Sequence, residues 1–383
     1  MKKLFIIFAI LCLAAPAMAA DWNFYGSARF ATFWNDVDPD KDGVDSDEDL
    51  TWAQQGNSRI GATVKFNDQI GGGFEMSDSF GKRKLYGTYT FGNGSQLLIG
   101  QTYTPSALFY SNSVYDGDGD LLGAGEFYEG RLPMIQWKMG NFKLALIEPN
   151  TSGEAGKYAK KAMADFLDDD AIDPDLAAAL DIIDIDYDAL ADELGIDVDT
   201  SLPKIEVGYA FKSDAFFADV FAGYQTYEIE LDDESVDVDS YVIGGGAGAN
   251  FGAFFVKAGV HFGQNLGNYG AYDPKFNGKA LADDMSIDDD LKELDSDSLG
   301  YLAVVGFNAS EMLTFEAGYG YEEAEVDESD NTTERTQYYL NCTVNVAPGF
   351  FIVPEVGMIT YEDEVTEPEP ETFYVGAKWQ INF

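Results

Sequence analysis

Histidine and cysteine are almost missing from this chain, with one His and two Cys among 383 residues. A His-based catalytic triad has only His261 to draw on, and no G-x-S-x-G elbow occurs, so the residues argue against a hydrolase. Cys12 lies in a leader expected to be removed. Cys342 then stands alone, and no intramolecular disulfide can form. Basic residues are scarce as well. Lys and Arg number 23 against 68 Asp and Glu, for a net charge of −45, which repels a phosphate backbone and excludes nucleic acid as a partner. No stretch after the leader holds 18 apolar residues in a row, so no transmembrane helix is expected. Aromatics, by contrast, make up 14% of the chain and Gly numbers 40. Acidic chains that stay disordered are poor in aromatics. Acidic loops joined by aromatic, glycine-rich strands fit this composition better.

Lys2 and Lys3, an apolar run over 4–15, Pro16 and Ala17-Met18-Ala19 read as a secretory signal, residues 1–19, cleaved after Ala19. Residues 20–383 are expected to form one domain. Its last stretch, 372–383, alternates with period two: Phe373, Val375, Ala377, Trp379, Ile381 and Phe383 on one face, Tyr374, Gly376, Lys378, Gln380 and Asn382 on the other. Similar alternation recurs in sixteen segments, beginning with Trp22, Phe24, Phe30 and Trp34 opposite Tyr25, Ser27, Arg29 and Phe33. Residues 36–57 are expected to be an acidic loop between the first two strands. Short turns such as NDQIGG, GNGS and APG alternate with longer, acidic connectors. Phe66, Phe91, Phe142, Phe211, Phe216, Phe251, Phe254, Phe307 and Phe350 cluster beside the short turns, and Tyr227, Tyr241, Tyr301, Tyr321 and Tyr361 lie toward the long ones, as two interfacial girdles would.

The expected fold class is therefore all-β: a 16-stranded antiparallel transmembrane β-barrel with short periplasmic turns, long acidic external loops and a bacterial outer-membrane location. A barrel of about sixteen strands leaves an aqueous lumen. Arg59, Lys65, Glu75, Lys257, His261, Glu316, Gln337, Asn341 and Lys378 fall on the inward parity. Glycines do too, among them Gly246, Gly259 and Gly320, to leave space or to allow the strands to curve.

The terminal aromatic strand, the first strand and the third long connector, 105–130, together resemble the trimeric general diffusion porins of Gram-negative outer membranes. That resemblance implies a third loop folded into the lumen, its acids facing a basic wall. Here the acids are Asp116, Asp118, Asp120, Glu126 and Glu129, and the bases Arg29, Arg59, Lys65, Lys84 and Arg131. The Pro-Glu-Phe-Gly-Gly-Asp signature of enterobacterial members is absent, and Glu126-Phe127 only echoes it. The alternative leaves those acids solvating an external loop. The resemblance also implies a homotrimer among outer-membrane lipid and lipopolysaccharide.

Two further segments stand out. Asp38, Asp40, Asp42, Gly43 and Asp49 have the spacing of an EF-hand calcium loop, but without a closing Glu or flanking helices, so Ca²⁺ on the external loops is a candidate and no other cofactor is expected. The connector 150–202 is alanine-rich with apolar residues at helical spacing and is expected to carry two short helices over the mouth. The expected function is passive passage of ions and small hydrophilic solutes, weakly cation-preferring because of the acidic mouth. A solute-specific channel and a barrel-anchored adhesive protein are the alternatives.

Overall fold

The computed structural model describes residues 20–39, 46–151, 154–156, 159, 187–231, 234–271, 286–287, 293–326, 332–363 and 370–383. Sixteen wall strands follow one another in chain order: β1 Asp21–Asp38, β2 Arg59–Lys65, β3 Ile70–Ser77, β4 Lys82–Thr90, β5 Gln96–Tyr103, β6 Arg131–Met139, β7 Phe142–Ile147, β8 Lys204–Lys212, β9 Phe216–Leu231, β10 Glu234–Phe251, β11 Phe254–Gln264, β12 Ser296–Asn308, β13 Leu313–Val326, β14 Thr332–Ala347, β15 Phe350–Asp363 and β16 Glu371–Asn382. Each pairs antiparallel with the next, and β16 closes on β1 from Ser27↔Asn382 to Asp38↔Glu371. Closure gives every strand two hydrogen-bonded neighbours, as a sheet in hydrocarbon requires. The chain's last residue completes the seam: Gly26 N donates to Phe383 O at 2.7 Å and Phe383 N to Gly26 O at 3.1 Å.

One expected loop is partly wall. Asp47–Gln54 is a strand paired with upper β1, Phe30↔Gln54 to Val37↔Asp47, in line with β2, which pairs with lower β1. Residues 55–58 interrupt the two, and the Ser58 hydroxyl bridges the break at the Arg29 backbone, accepting from its N–H at 3.0 Å and donating to its carbonyl at 3.1 Å. The acidic composition of 36–57 hid a strand whose Leu50 and Trp52 face outward. A second short strand, Ile196–Asp199, likewise prolongs the wall beside upper β9.

Alternation sends apolar side chains out. Leu85, Ile99, Ile135, Val220, Ile243, Val305, Leu340 and Val375 are all exposed, which would be untenable in water but suits a lipid-facing belt. Exposed Phe66, Phe91, Phe211, Phe216, Phe251, Phe254 and Phe307 ring the short-turn end, with Phe254 and Phe307 4.7 Å apart. Tyr241 and Tyr301 are exposed toward the other end. Tyr227 is not part of that girdle. It faces inward, is buried, and donates to Glu154 at 3.0 Å.

That contact helps anchor the 150–202 insertion. Ala159 and Ala191 bury against Tyr227, Ile229 and Val238 on the inner side of β9 and β10. Helix α2, Tyr187–Leu194, lies within the second expected helix; residues 160–186 lie outside the described residues, as do 1–19 and Asp40 and Asp42.

Candidate pore constriction

The third long connector crosses the lumen and is tied to the wall by carboxylates. Glu206 on β8 accepts from Ser106 N at 3.1 Å and Ser106 Oγ at 3.0 Å. Glu316 on β13 accepts from Asn112 N at 2.7 Å, and Glu322, six residues further along the same face, from Gly125 N at 3.1 Å. Glu355 on β15 accepts from Val114 N at 2.8 Å, Tyr115 N at 3.2 Å and Ser113 Oγ at 2.9 Å. Irregular backbone inside a barrel must find partners for its N–H groups, and charge-assisted bonds to a carboxylate are among the strongest on offer. Glycines on the wall make room for it. A Cβ on Gly320 would lie 1.9 Å from Ala124 O, and one on Gly246 would lie 2.5 Å from the Tyr110 ring. The inward glycines thus accommodate the loop's own backbone and side chains rather than solute.

Beside the loop remains a cavity of about 520 Å³ lined by Arg29, Arg59, Arg83, Arg131 and Lys378 against Asp118 and Asp120. Asp118 ends the short helix α1, Tyr115–Asp118, in a left-handed conformation with φ 70°. Its carboxylate is shared by Arg29 and Lys378 and also accepts from Asn57 Nδ2 at 3.0 Å. Across the cavity the buried Glu75 holds three cations, Arg83 at 2.8 Å, Lys84 at 3.3 Å and Arg59 at 3.7 Å. Arg131 donates to Tyr103 OH at 3.1 Å and lies over the Tyr103 and Tyr128 rings, with no carboxylate in ion-pair range among the described residues. On the loop, burial first and then the neighbouring Glu126 and Asp118 carboxylates push the Asp120 carboxyl well up. Burial likewise pushes Glu126 up to about 7. The constriction is therefore rich in positive charge although the chain is strongly acidic.

Of the expected set, Arg29, Arg59, Arg131, Asp118 and Asp120 line this cavity, and Lys84 stands behind it on Glu75. Three others do not belong. Lys65 sits at the short-turn end, largely exposed, and pairs with Asp68 at 2.8 Å. Glu129 is buried in an ion pair with Lys204 at 2.7 Å. Glu126 turns into the loop's own interior and accepts from Tyr110 N. The Asp116 side chain lies outside the described residues. Arg83 was missed because strict parity points it away from Lys84. A bulge where Glu75 pairs with Lys84 but Met76 pairs with Lys82 brings both to Glu75. Lys378 was legible as inward but not as the partner of Asp118. In the candidate calcium loop, Asp49 is in a strand opposite Asn35 while Asp38 ends β1. Asp40, Asp42 and Gly43 lie outside the described residues.

No family model and no curated protein sequence matches this chain. Solved structures do. The outer membrane channel DcaP of Acinetobacter baumannii superposes with TM-score 0.64 at 15% identity, over 95% of this chain and 97% of that one. Salmonella typhi OmpF, in complex with daunomycin, gives 0.54 at 9% identity over 95% and 98%. The anion-selective porin from Comamonas acidovorans gives 0.53 at 11% identity over 95% and 100%. The fold is that of the outer-membrane porins. The sixteen-strand porin barrel and its outward apolar belt agree with the expected class, and the neighbours include a structure described as a channel and one described as a porin.

Proposed function

We propose that this protein is a passive, water-filled channel of a bacterial outer membrane, open to ions and small hydrophilic solutes, and that its constriction favours anions. The supporting observation is the cavity beside the loop, where five cationic side chains meet two carboxylates. The weak cation preference expected from the acidic mouth is displaced by this reading. Charges on external loops act through water and are screened beyond about 10 Å at 0.1 M salt. A permeating ion passes the constriction groups within a few ångströms, where low-dielectric walls focus their field. A homotrimer, with lipid and lipopolysaccharide against the apolar belt, belongs to the same proposal and is supported by the porin fold and the exposed belt.

The test is the reversal potential of the reconstituted full chain across a tenfold KCl gradient, at low and at high salt. A chloride-side potential that persists at high salt is expected. A potassium-side potential at both salts overturns the anion preference and leaves the pore. Folded, heat-modifiable protein that conducts nothing overturns the pore.

A further inference from the structure

Inside the constriction one wall is aromatic where an ion pathway needs only charge. Phe109 is 43% exposed, into the cavity, although Val114, Leu121 and Ala124 of the same loop are fully buried. Its ring centroid is 5.5 Å from Tyr103, edge-on, and 5.7 Å from Tyr128, while Tyr103 and Tyr128 are 6.3 Å apart. Three rings from β5 and the two limbs of the loop thus form one surface, held without a cover. The Arg131 guanidinium lies 5.1 Å from the centre of Tyr103 and 6.0 Å from that of Tyr128, and it lacks a carboxylate partner among the described residues. Arg83 stands on the same cavity and shares its one carboxylate, Glu75, with two further cations.

We infer that this corner binds planar aromatic carboxylates, a substrate class that deepens the channel reading above and rests on it. The ring of such a solute covers Phe109 and Tyr128, removing apolar surface from water and adding ring–ring contacts. Its carboxylate meets Arg131, whose planar fork matches two oxygens and which has no carboxylate in ion-pair range among the described residues. A saturated acid satisfies the guanidinium but stacks poorly, and an uncharged ring leaves Arg131 unpaired. A cavity of about 520 Å³ is large enough for one small solute of this kind.

The full chain is titrated with benzoate and with its non-planar counterpart cyclohexanecarboxylate, by block of KCl current and by calorimetry on detergent-folded protein. Benzoate is expected to bind saturably and about tenfold more tightly than cyclohexanecarboxylate. Phe109→Ala and Tyr128→Leu should each erase most of that difference, and Arg131→Gln should weaken both acids. Equal affinity for the two acids, or a preference for benzoate that survives both aromatic replacements, overturns the assignment. Calorimetry decides it even if no current flows, and loss of current alone counts against the channel reading instead.

Discussion

Replacing Glu355 tests whether wall carboxylates hold the constriction loop in place. Both of its oxygens accept from groups that can only donate: Val114 N and the Asn341 amide at Oε2, at 2.8 and 3.0 Å, and Tyr115 N at Oε1, at 3.2 Å. The Ser113 and Tyr374 hydroxyls also reach Oε1, at 2.9 and 3.1 Å, and can turn to accept. In Glu355→Gln the amide nitrogen therefore settles at the Oε1 position. The Tyr115 bond is lost and the Oε2 bonds survive as neutral ones. A bond to a charged acceptor contributes about 2 kcal/mol, so the ratio of detached to docked loop rises roughly thirty-fold. Glu355→Ala forfeits all three loop bonds, from Val114 N, Tyr115 N and the Ser113 hydroxyl, on the order of 5 kcal/mol. The barrel itself should persist, since the ladders from β14 through β16 to β1 do not involve this side chain. Single-channel recording on heat-modifiable protein is the assay. Glu355→Gln should add open-channel noise. Glu355→Ala should raise the conductance and expose Phe109, Tyr110 and Tyr115 to chymotrypsin. If both variants are as quiet, as narrow and as protease-resistant as the parent, the loop is held by something else.

Asp118→Asn frees Arg29 and Lys378 from their shared carboxylate and should move the reversal potential further to the chloride side, whereas Arg131→Gln should move it back. Lys204→Met strands the buried Glu129 beside Glu206 and should destabilise the folded barrel by about 3–5 kcal/mol in urea unfolding; adding Glu129→Leu should restore most of it. For Glu126, burial raises the carboxyl from its ordinary value to about 7, so the folded state binds more protons than the unfolded one between about pH 4.5 and 7. The docked loop is thus favoured at low pH and loses up to about 3 kcal/mol as pH rises through that window. Current noise should grow from pH 5 to pH 8, and Glu126→Gln should flatten the profile.

Much of the wall was legible because period-two alternation and turn chemistry are local. The last strand, expected over 372–383, runs Glu371–Asn382, and the turn expected at NDQIGG joins Lys65 to Ile70. Failures came where locality ends. Asp47–Gln54 reads as loop by composition and becomes strand only because upper β1 offers it a partner. Arg83 joins Glu75 through a one-residue bulge that no alternation pattern predicts. Glu126 and Glu129 were grouped with Asp118 because all three are loop acids. Which of them faces water is set by where the loop's backbone N–H groups find acceptors on strands distant in sequence.

The same accounting explains why net charge was a poor guide to the pore. A carboxylate that accepts loop N–H bonds, as Glu206, Glu322 and Glu355 do, is turned away from the solute path and partly neutralised by the dipoles that hold it. Glu316 also has Lys257 at 3.4 Å. The wall's acids are thereby engaged in fixing the loop, and burial favours the neutral form of Asp120 at its edge. The cations that line the cavity outnumber the carboxylates left to them. Three cations share Glu75, two share Asp118 and Arg131 has no carboxylate in ion-pair range among the described residues. A positive constriction within a chain of net charge −45 follows from which charges have partners, and that depends on the loop's path across the barrel.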